Sequence, residues 1–106
     1  MSDVAGGRAR PVKLDADQIS AALADVPGWT VQEGKLHREF RFRDFNQAFG
    51  FMTRAALHAE SMDHHPEWFN VYSRVVVDLV THDADGITPL DFSLASKMNE
   101  VAAALL

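Results

Sequence analysis

The spacing of hydrophobic residues changes several times along the chain, and each change predicts a new secondary-structure element. The first run of helical spacing, residues 19–26, follows Asp15 and Asp17, either of which can cap a helix, and it ends at Pro27-Gly28. An α-helix places such a run on one face. We therefore predict a short amphipathic helix at the start of the folded region.

Two extended segments follow this helix, because apolar and polar residues begin to alternate at Trp29. Glu33-Gly34 supply a turn between them, so the two segments predict a β-hairpin. In the second strand Phe40 and Phe42 share one face, whereas the other face carries His37, Glu39, Arg41 and Arg43. The alternation predicts a sheet with one face against the core and one against solvent, although the arginines could instead bind an anion.

A second, longer helix is predicted from Asp44 to about Met62. Asp44, followed three residues later by Gln47, resembles a capping box. Apolar side chains then recur at helical spacing at Phe45, Ala48, Phe49, Met52, Ala55, Ala56 and Ala59. We expect this stripe to pack against the sheet as part of the core.

A second hairpin is predicted after a break at His65, because Pro66 disfavours helical backbone angles at the residue before it. The two strands, residues 68–72 and 75–82, are joined at Ser73-Arg74. One face of the last strand carries Val75, Val77 and Leu79, and the other carries Val76, Asp78, Val80 and His82. The second face is only partly polar, so a partner subunit could cover it.

A third helix closes the chain, with Thr88, Pro89 and Asp91 as N-cap, first-turn proline and capping-box acid. Its predicted buried stripe is Leu90, Leu94, Met98, Val101, Ala102 and Leu105. The order α-β-β-α-β-β-α predicts an α+β fold, in which a four-stranded antiparallel sheet carries three helices on one face. We assign residues 14–106 to this domain and residues 1–13 to a flexible N-terminal tail.

Composition narrows the class of protein. A chain of 106 residues that is 47% hydrophobic can form one compact domain but has no room for a repeat array. The absence of cysteine excludes disulfides and thiolate metal sites and fits the cytoplasm. A formal charge of −5 argues against nucleic acid or an anionic membrane as a partner. The chain has no apolar run that could span a membrane, and residues 1–13 have none that could serve as a secretory signal.

Candidate chemistry gathers at the ends of the predicted elements. His64, His65 and His82 lie where loops can converge. Three carboxylates, Glu60, Asp63 and Asp91, stand close to them in the predicted elements. Imidazole exchanges protons near neutral pH, and a neighbouring carboxylate orients the ring, so the cluster indicates general acid–base chemistry.

Two simpler interpretations of the histidines stay open at this point. Adjacent histidines at the end of a helix often form a solvated turn. Two histidines with a carboxylate could also bind zinc or iron, although Glu60-x-x-x-His64-His65 is not an established metal motif. By the same reasoning, Asp91 alone is a capping acid and Trp68 alone a core aromatic.

Several separated motifs resemble the pterin-4a-carbinolamine dehydratase family. These motifs are His-His-Pro-Glu-Trp-Phe-Asn-Val-Tyr at residues 64–72, the strand and Thr-His-Asp at 75–83, Gly-Ile-Thr at 86–88, and residues 91–95. The resemblance extends from about Leu14 to Val101. Ser73-Arg74 and residues 97–99 depart from the family pattern, and both lie away from the histidines. They put oligomer contacts in doubt rather than catalysis.

The resemblance implies the same α+β fold and an activity, the elimination of water from 4a-hydroxytetrahydropterin to give quinonoid dihydropterin. It implies no metal or organic cofactor, a pterin substrate, and assembly into dimers or tetramers. It places the catalytic histidines at His64, His65 and His82, and we expect substrate-binding residues at Glu60, Asp63, Trp68 and Asp91. Our hypothesis is that His64 and His82 serve as acid or base, that His65 positions the ring, and that Glu60 and Asp91 orient imidazoles. A dimerisation module of the same fold, or action on another pterin, remains the alternative.

Overall fold

The computed structural model describes residues 11–106, so most of the predicted tail, residues 1–13, lies outside the described residues. The elements are α1 (Ala16–Leu23), β1 (Thr30–Gln32), β2 (Lys35–Arg41), α2 (Phe45–Met62), β3 (Glu67–Val71), β4 (Arg74–Leu79), a 3₁₀ turn (His82–Ala84) and α3 (Pro89–Leu105). The strands form an antiparallel sheet in the order β1-β2-β4-β3. The predicted α+β fold and order of elements are confirmed.

Side-chain caps fix where the helices begin. The Asp15 carboxylate accepts the backbone N–H of Gln18 at 2.8 Å, and the Gln18 side chain accepts the N–H of Asp15 at 2.9 Å, which is a complete capping box. At α2 the Asp44 carboxylate accepts the backbone N–H of Gln47, but the side-chain oxygen of Gln47 accepts the backbone N–H of Arg43 instead of that of Asp44. The predicted box at α2 is therefore replaced by a cap that also fixes the preceding residue.

The core lies between the sheet and the helices. The helix-covered side of the sheet contributes Leu36, Phe40, Val75, Val77 and Leu79, all buried. Phe51 of α2 is fully buried against Phe40 and Phe42, with ring centroids 4.6 and 5.1 Å apart. These rings form the aromatic centre of the core.

The predicted stripe of α2 was partly wrong. Phe45 and Phe49 are 47% and 53% exposed, whereas Phe51, which the stripe omitted, is fully buried. The helix faces the core with Ala48, Phe51, Ala55 and Ala59. Its alanines allow close approach of the neighbouring elements, and this rotation leaves the other two phenylalanines on the outer flank.

The second hairpin differs from its prediction at both ends. The turn is formed by Tyr72 and Ser73, with Tyr72 at a left-handed φ of 51°, instead of by Ser73 and Arg74. The Asn70 side chain supports this turn by donating to the carbonyls of Tyr72 and Arg74 at 3.2 and 2.9 Å. The strand β4 ends at Leu79, and Thr81 forms an isolated bridge with Gly86, so His82 opens a 3₁₀ turn instead of closing a strand.

Strand register brings distant parts of the chain to one end of the sheet. Glu67, the first residue of β3, pairs with Asp78 near the end of β4, and Asp78 pairs with His37 of β2. These residues lie on the side of the sheet opposite the helices, which we call the open face, together with Lys35 and Glu39. The C-terminus of α2 and the 3₁₀ turn meet at the same end. Within residues 11–106 no helix has the length and apolar character that crossing a membrane requires.

Candidate active site

The end of α2 directs His64 inward. Asp63 has a left-handed backbone with a φ of 51°, and the N–H of His64 bonds to the Ala59 carbonyl at 3.0 Å, which closes the helix. The His64 ring is buried, and its Nε2 lies 2.6 Å from Oδ1 of Asp91. Asp63 itself is exposed, so its visible role is to end the helix and turn the chain.

Asp91 is the hub of a buried polar network. Its side chain is fully buried at the first turn of α3. Oδ2 accepts the Thr81 hydroxyl at 2.8 Å and the Thr88 backbone N–H at 2.9 Å, and the two threonine hydroxyls lie 2.7 Å apart. The carboxylate is thus hydrogen-bonded at both oxygens, as a buried charge requires. The capping box predicted for α3 therefore exists and also orients a histidine.

His65 points away from the buried network. Its Nε2 lies 2.8 Å from Oε1 of Glu60 in the last turn of α2, and both side chains are largely exposed. The pair closes across the helix end, where Glu60 and His65 are brought together by the turn at Asp63. Because it is open to solvent, this ring can be reached by a ligand.

A third carboxylate, Glu67, was not among the residues predicted from the sequence. Its Oε2 lies 3.1 Å from Nε2 of His82, and its Oε1 lies 2.6 Å from the Lys35 ammonium. The hydrogen bond from Lys35 is the main cause of a lowered pKa at Glu67, and the same contact raises the pKa of Lys35. The signal in the sequence was the position of Glu67 within His64-His65-Pro66-Glu67-Trp68, but its partners became evident only from the sheet register.

The three predicted catalytic histidines share one arrangement. His64, His65 and His82 each contact a carboxylate through Nε2. A carboxylate can only accept, so in the neutral ring the proton lies on Nε2 and the Nδ1 lone pair is left as the proton acceptor. This geometry suits general acid–base chemistry.

The structure places these three histidines at the same end of the molecule. Asp91 contacts both His64 and Thr81, and Thr81 directly precedes His82. Trp68, the remaining predicted residue, is partly buried and packs against the core at the start of β3. Glu60 and Asp91 therefore contact imidazoles, whereas Asp63 and Trp68 shape the backbone and the packing around them.

A shallow pocket of about 250 Å³ adjoins His82. Its lining residues are Glu33, Gly34, Lys35, Val80, His82, Asp85 and Gly86. Gly34 has a φ of 78° in the tight turn between β1 and β2, which forms one wall of the pocket. In the part of the chain that the structure describes, no three His, Asp or Glu side chains are grouped as metal ligands.

Comparison with known proteins identifies the family of this chain. A sequence model described as pterin 4 alpha carbinolamine dehydratase matches residues 12–101. A provisionally named pterin-4-alpha-carbinolamine dehydratase of Solibacter usitatus is 60% identical over 91 residues, which are 86% of this chain and 96% of the relative. A similarly named protein of Afipia carboxidovorans is 61% identical over 92 residues, 85% of this chain and 92% of that one.

The fold also matches a solved structure. A crystal structure titled transcriptional coactivator/pterin dehydratase, from Brucella melitensis, superposes with a TM-score of 0.82 at 49% identity and covers 85% of this chain and 98% of that one. The matches cover nearly the whole length of these relatives. The chain therefore belongs to the pterin 4-alpha-carbinolamine dehydratase family.

Proposed function

We propose that this protein eliminates water from 4a-hydroxytetrahydropterin, the carbinolamine that aromatic amino-acid hydroxylases release, and so forms quinonoid dihydropterin for recycling. The observation that carries the proposal is the set of three imidazoles at one end of the domain, each hydrogen-bonded to a carboxylate. Family membership supplies the substrate class. A cysteine-free chain fits action in the cytoplasm.

The reaction needs two proton transfers. The bond from C4a to the hydroxyl oxygen breaks, and the hydroxyl takes a proton and leaves as water. The proton on N5 is lost, and its electron pair forms the C4a=N5 double bond. An acid near the leaving oxygen and a base near N5 therefore suffice, and we write the reaction without a metal or organic cofactor.

The site residues divide these tasks in our proposal. His64 and His82 serve as the acid and the base, and His65 positions the pterin. Asp91 and Glu60 orient His64 and His65, in agreement with contacts of 2.6 and 2.8 Å. The available Nδ1 atoms would take or give the protons, because each Nε2 is occupied by its carboxylate.

An ultraviolet assay that follows quinonoid dihydropterin formation from freshly generated carbinolamine tests the proposal. General acid–base catalysis is worth roughly 10²- to 10⁴-fold, so His64→Ala and His82→Ala should each lose most of the catalysed rate. His58→Ala, on α2 and outside the cluster, is the matched control. Full activity in both His64→Ala and His82→Ala, with unchanged circular dichroism, would refute the assignment. Stoichiometric zinc or iron in the active protein would overturn the metal-free reaction.

A second role, as a dimerisation module, is favoured by the outer flank of α2. Phe45, Phe49 and Leu57 are 47%, 53% and 68% exposed, which is unusual for large apolar side chains on one helix. The Brucella relative is titled both coactivator and dehydratase. We propose that this flank is covered by further copies of the chain in a homo-oligomer. Light scattering should then give the mass of a dimer or tetramer, and Phe49→Ser should lower it.

A further inference from the structure

We infer that Lys35 is a positioning residue, which acts through Glu67 to hold the imidazole of His82 in its working orientation. The inference rests on the proposed dehydratase function. It assigns a role to a cation that lies on β2, far in sequence from the histidine cluster.

The contacts place Glu67 between two partners. Its Oε1 accepts the Lys35 ammonium at 2.6 Å, while its Oε2 lies 3.1 Å from Nε2 of His82. The three residues come from β2, from the start of β3 and from the 3₁₀ turn after β4. The Lys35–Glu67 pair therefore crosses over β4, and it fixes the carboxylate that the imidazole meets.

Burial explains why His82 needs such a support when His64 does not. The side chain of His64 is 9% exposed, and its partner Asp91 is fully buried, so packing and the buried network hold that ring. The side chain of His82 is 77% exposed on a short turn. Little packing restricts its ring torsion, so the hydrogen bond to Glu67 is the main restraint on its orientation.

The contact with Lys35 keeps the Glu67 side chain in its ionised form, which can accept a hydrogen bond from the His82 ring. Lys35 lowers the pKa of Glu67, chiefly through the hydrogen bond, so the carboxylate stays ionised at neutral pH. Three carboxylates act on Lys35, those of Glu67, Asp78 and Glu33, and Glu67 has the largest effect on its pKa.

Of the two other carboxylates that act on Lys35, Asp78 already has a partner on the open face. Asp78 is engaged by His37, with Nδ1 and Oδ1 2.9 Å apart. Asp85 lines the neighbouring pocket together with Lys35. Lys35 is therefore directed to Glu67, and Glu67 in turn to His82.

The test compares two pairs of variants on the same face of the sheet. Glu67→Ala removes the acceptor, and Lys35→Met removes its anchor. Glu39→Ala and Arg41→Met are the matched controls, because Glu39 and Arg41 form a 2.7 Å ion pair that does not contact the histidines. The readouts are kcat, KM and the ¹⁵N resonances of the His82 ring, which report the tautomer and the mobility of the imidazole.

We expect Glu67→Ala to lower kcat about tenfold with little change in KM, and to alter the His82 ring resonances. Lys35→Met should lower kcat by about two- to fivefold, the range of an exposed ion pair, with the same spectral change in smaller measure. Lys35→Arg should restore both readouts, since it keeps the cation. The controls should retain wild-type kcat and the wild-type ring spectrum.

The inference is overturned if either Lys35→Met or Glu67→Ala leaves the ring resonances unchanged, whatever its kcat, because that residue would then not help to orient the ring. It is equally overturned if the resonances change while kcat does not. A wild-type protein without dehydratase activity would refute the proposed function alone. The ring spectra of Glu67→Ala and Lys35→Met would then still decide whether these residues orient His82.

Discussion

Replacing Asp91 by Asn tests the buried network most directly, because the change keeps the shape of the side chain and removes its charge. In the native protein the carboxylate accepts three hydrogen bonds, from His64, Thr81 and the Thr88 backbone. The amide of Asn has one carbonyl oxygen. If that oxygen keeps the bonds to Thr81 and Thr88, the amide NH₂ must face Nε2 of His64.

The magnitude follows from the types of bond that change. A hydrogen bond to a charged group contributes about 1.5–3 kcal/mol and one between neutral groups about 0.5–1.5 kcal/mol, so three weakened bonds would cost about 3 kcal/mol. Removing a fully buried charge recovers part of this cost. We expect Asp91→Asn to lower the free energy of unfolding by about 1–3 kcal/mol, or roughly 4–8 °C in Tm for each kcal/mol.

Turnover should fall for a separate reason. An NH₂ group opposite Nε2 of His64 can only donate, so the imidazole proton moves to Nδ1 and the ring presents the wrong nitrogen to the substrate. We expect a loss of at least about 100-fold in the catalysed rate. Urea unfolding and the ultraviolet assay measure the two effects. Asp44→Asn is the matched control, because Asp and Asn cap a helix equally well and Asp44 contacts no imidazole.

Asp91→Ala should destabilise the protein more than Asp91→Asn does. It removes all three acceptor contacts and leaves buried donors unpaired, so it should destabilise the protein by about 3–5 kcal/mol, more than Asn does. If Asp91→Asn is as stable and as active as wild type, the buried carboxylate neither supports the fold nor sets the tautomer of His64.

Two further predictions concern the core and the open face. Phe51→Ala should cost about 3–5 kcal/mol of unfolding free energy, because the Phe51 side chain is fully buried. Phe49→Ala should cost less than about 1 kcal/mol in a monomer, because the Phe49 side chain is half exposed. Equal losses in urea unfolding would contradict the rotation of α2 that buries Phe51. Because the folded pKa of Glu67 lies below 4.5, its pairing stabilises the protein above that pH and the contribution is lost as pH falls through the folded pKa. The difference in urea midpoint between wild type and Glu67→Gln should therefore be constant near neutral pH and shrink below pH 4.5, and a constant difference down to pH 3 would contradict it.

Local sequence patterns predicted the elements well where a single cap, turn or helix end determines the boundary. The capping box at Thr88 and Asp91, the turn at Glu33-Gly34 and the end of α2 at Met62 all follow from neighbouring residues. Each depends on a few backbone hydrogen bonds within one turn. Such features depend only on a short stretch of sequence, and they are confirmed by the structure.

Features that depend on how elements pack were harder to predict. Helical spacing placed Phe49 in the core, but the spacing of α2 is compatible with more than one rotation about its axis. Packing of its alanines selected the rotation that buries Phe51 instead. Likewise, β-branched residues suggested a strand up to His82, yet the bridge between Thr81 and Gly86 ends the pairing with β2 and β3 earlier.

The family and the order of elements could be predicted from the amino-acid sequence, and so could the candidate histidines, because motifs and periodicity are local properties of the chain. Which carboxylate meets which imidazole depends on the folded arrangement. Glu67 reaches His82 and Lys35 because antiparallel register aligns three segments that are far apart in sequence. Asp91 reaches His64 because the start of α3 packs beside the end of α2, and contacts of this kind arise only when separate elements fold against each other.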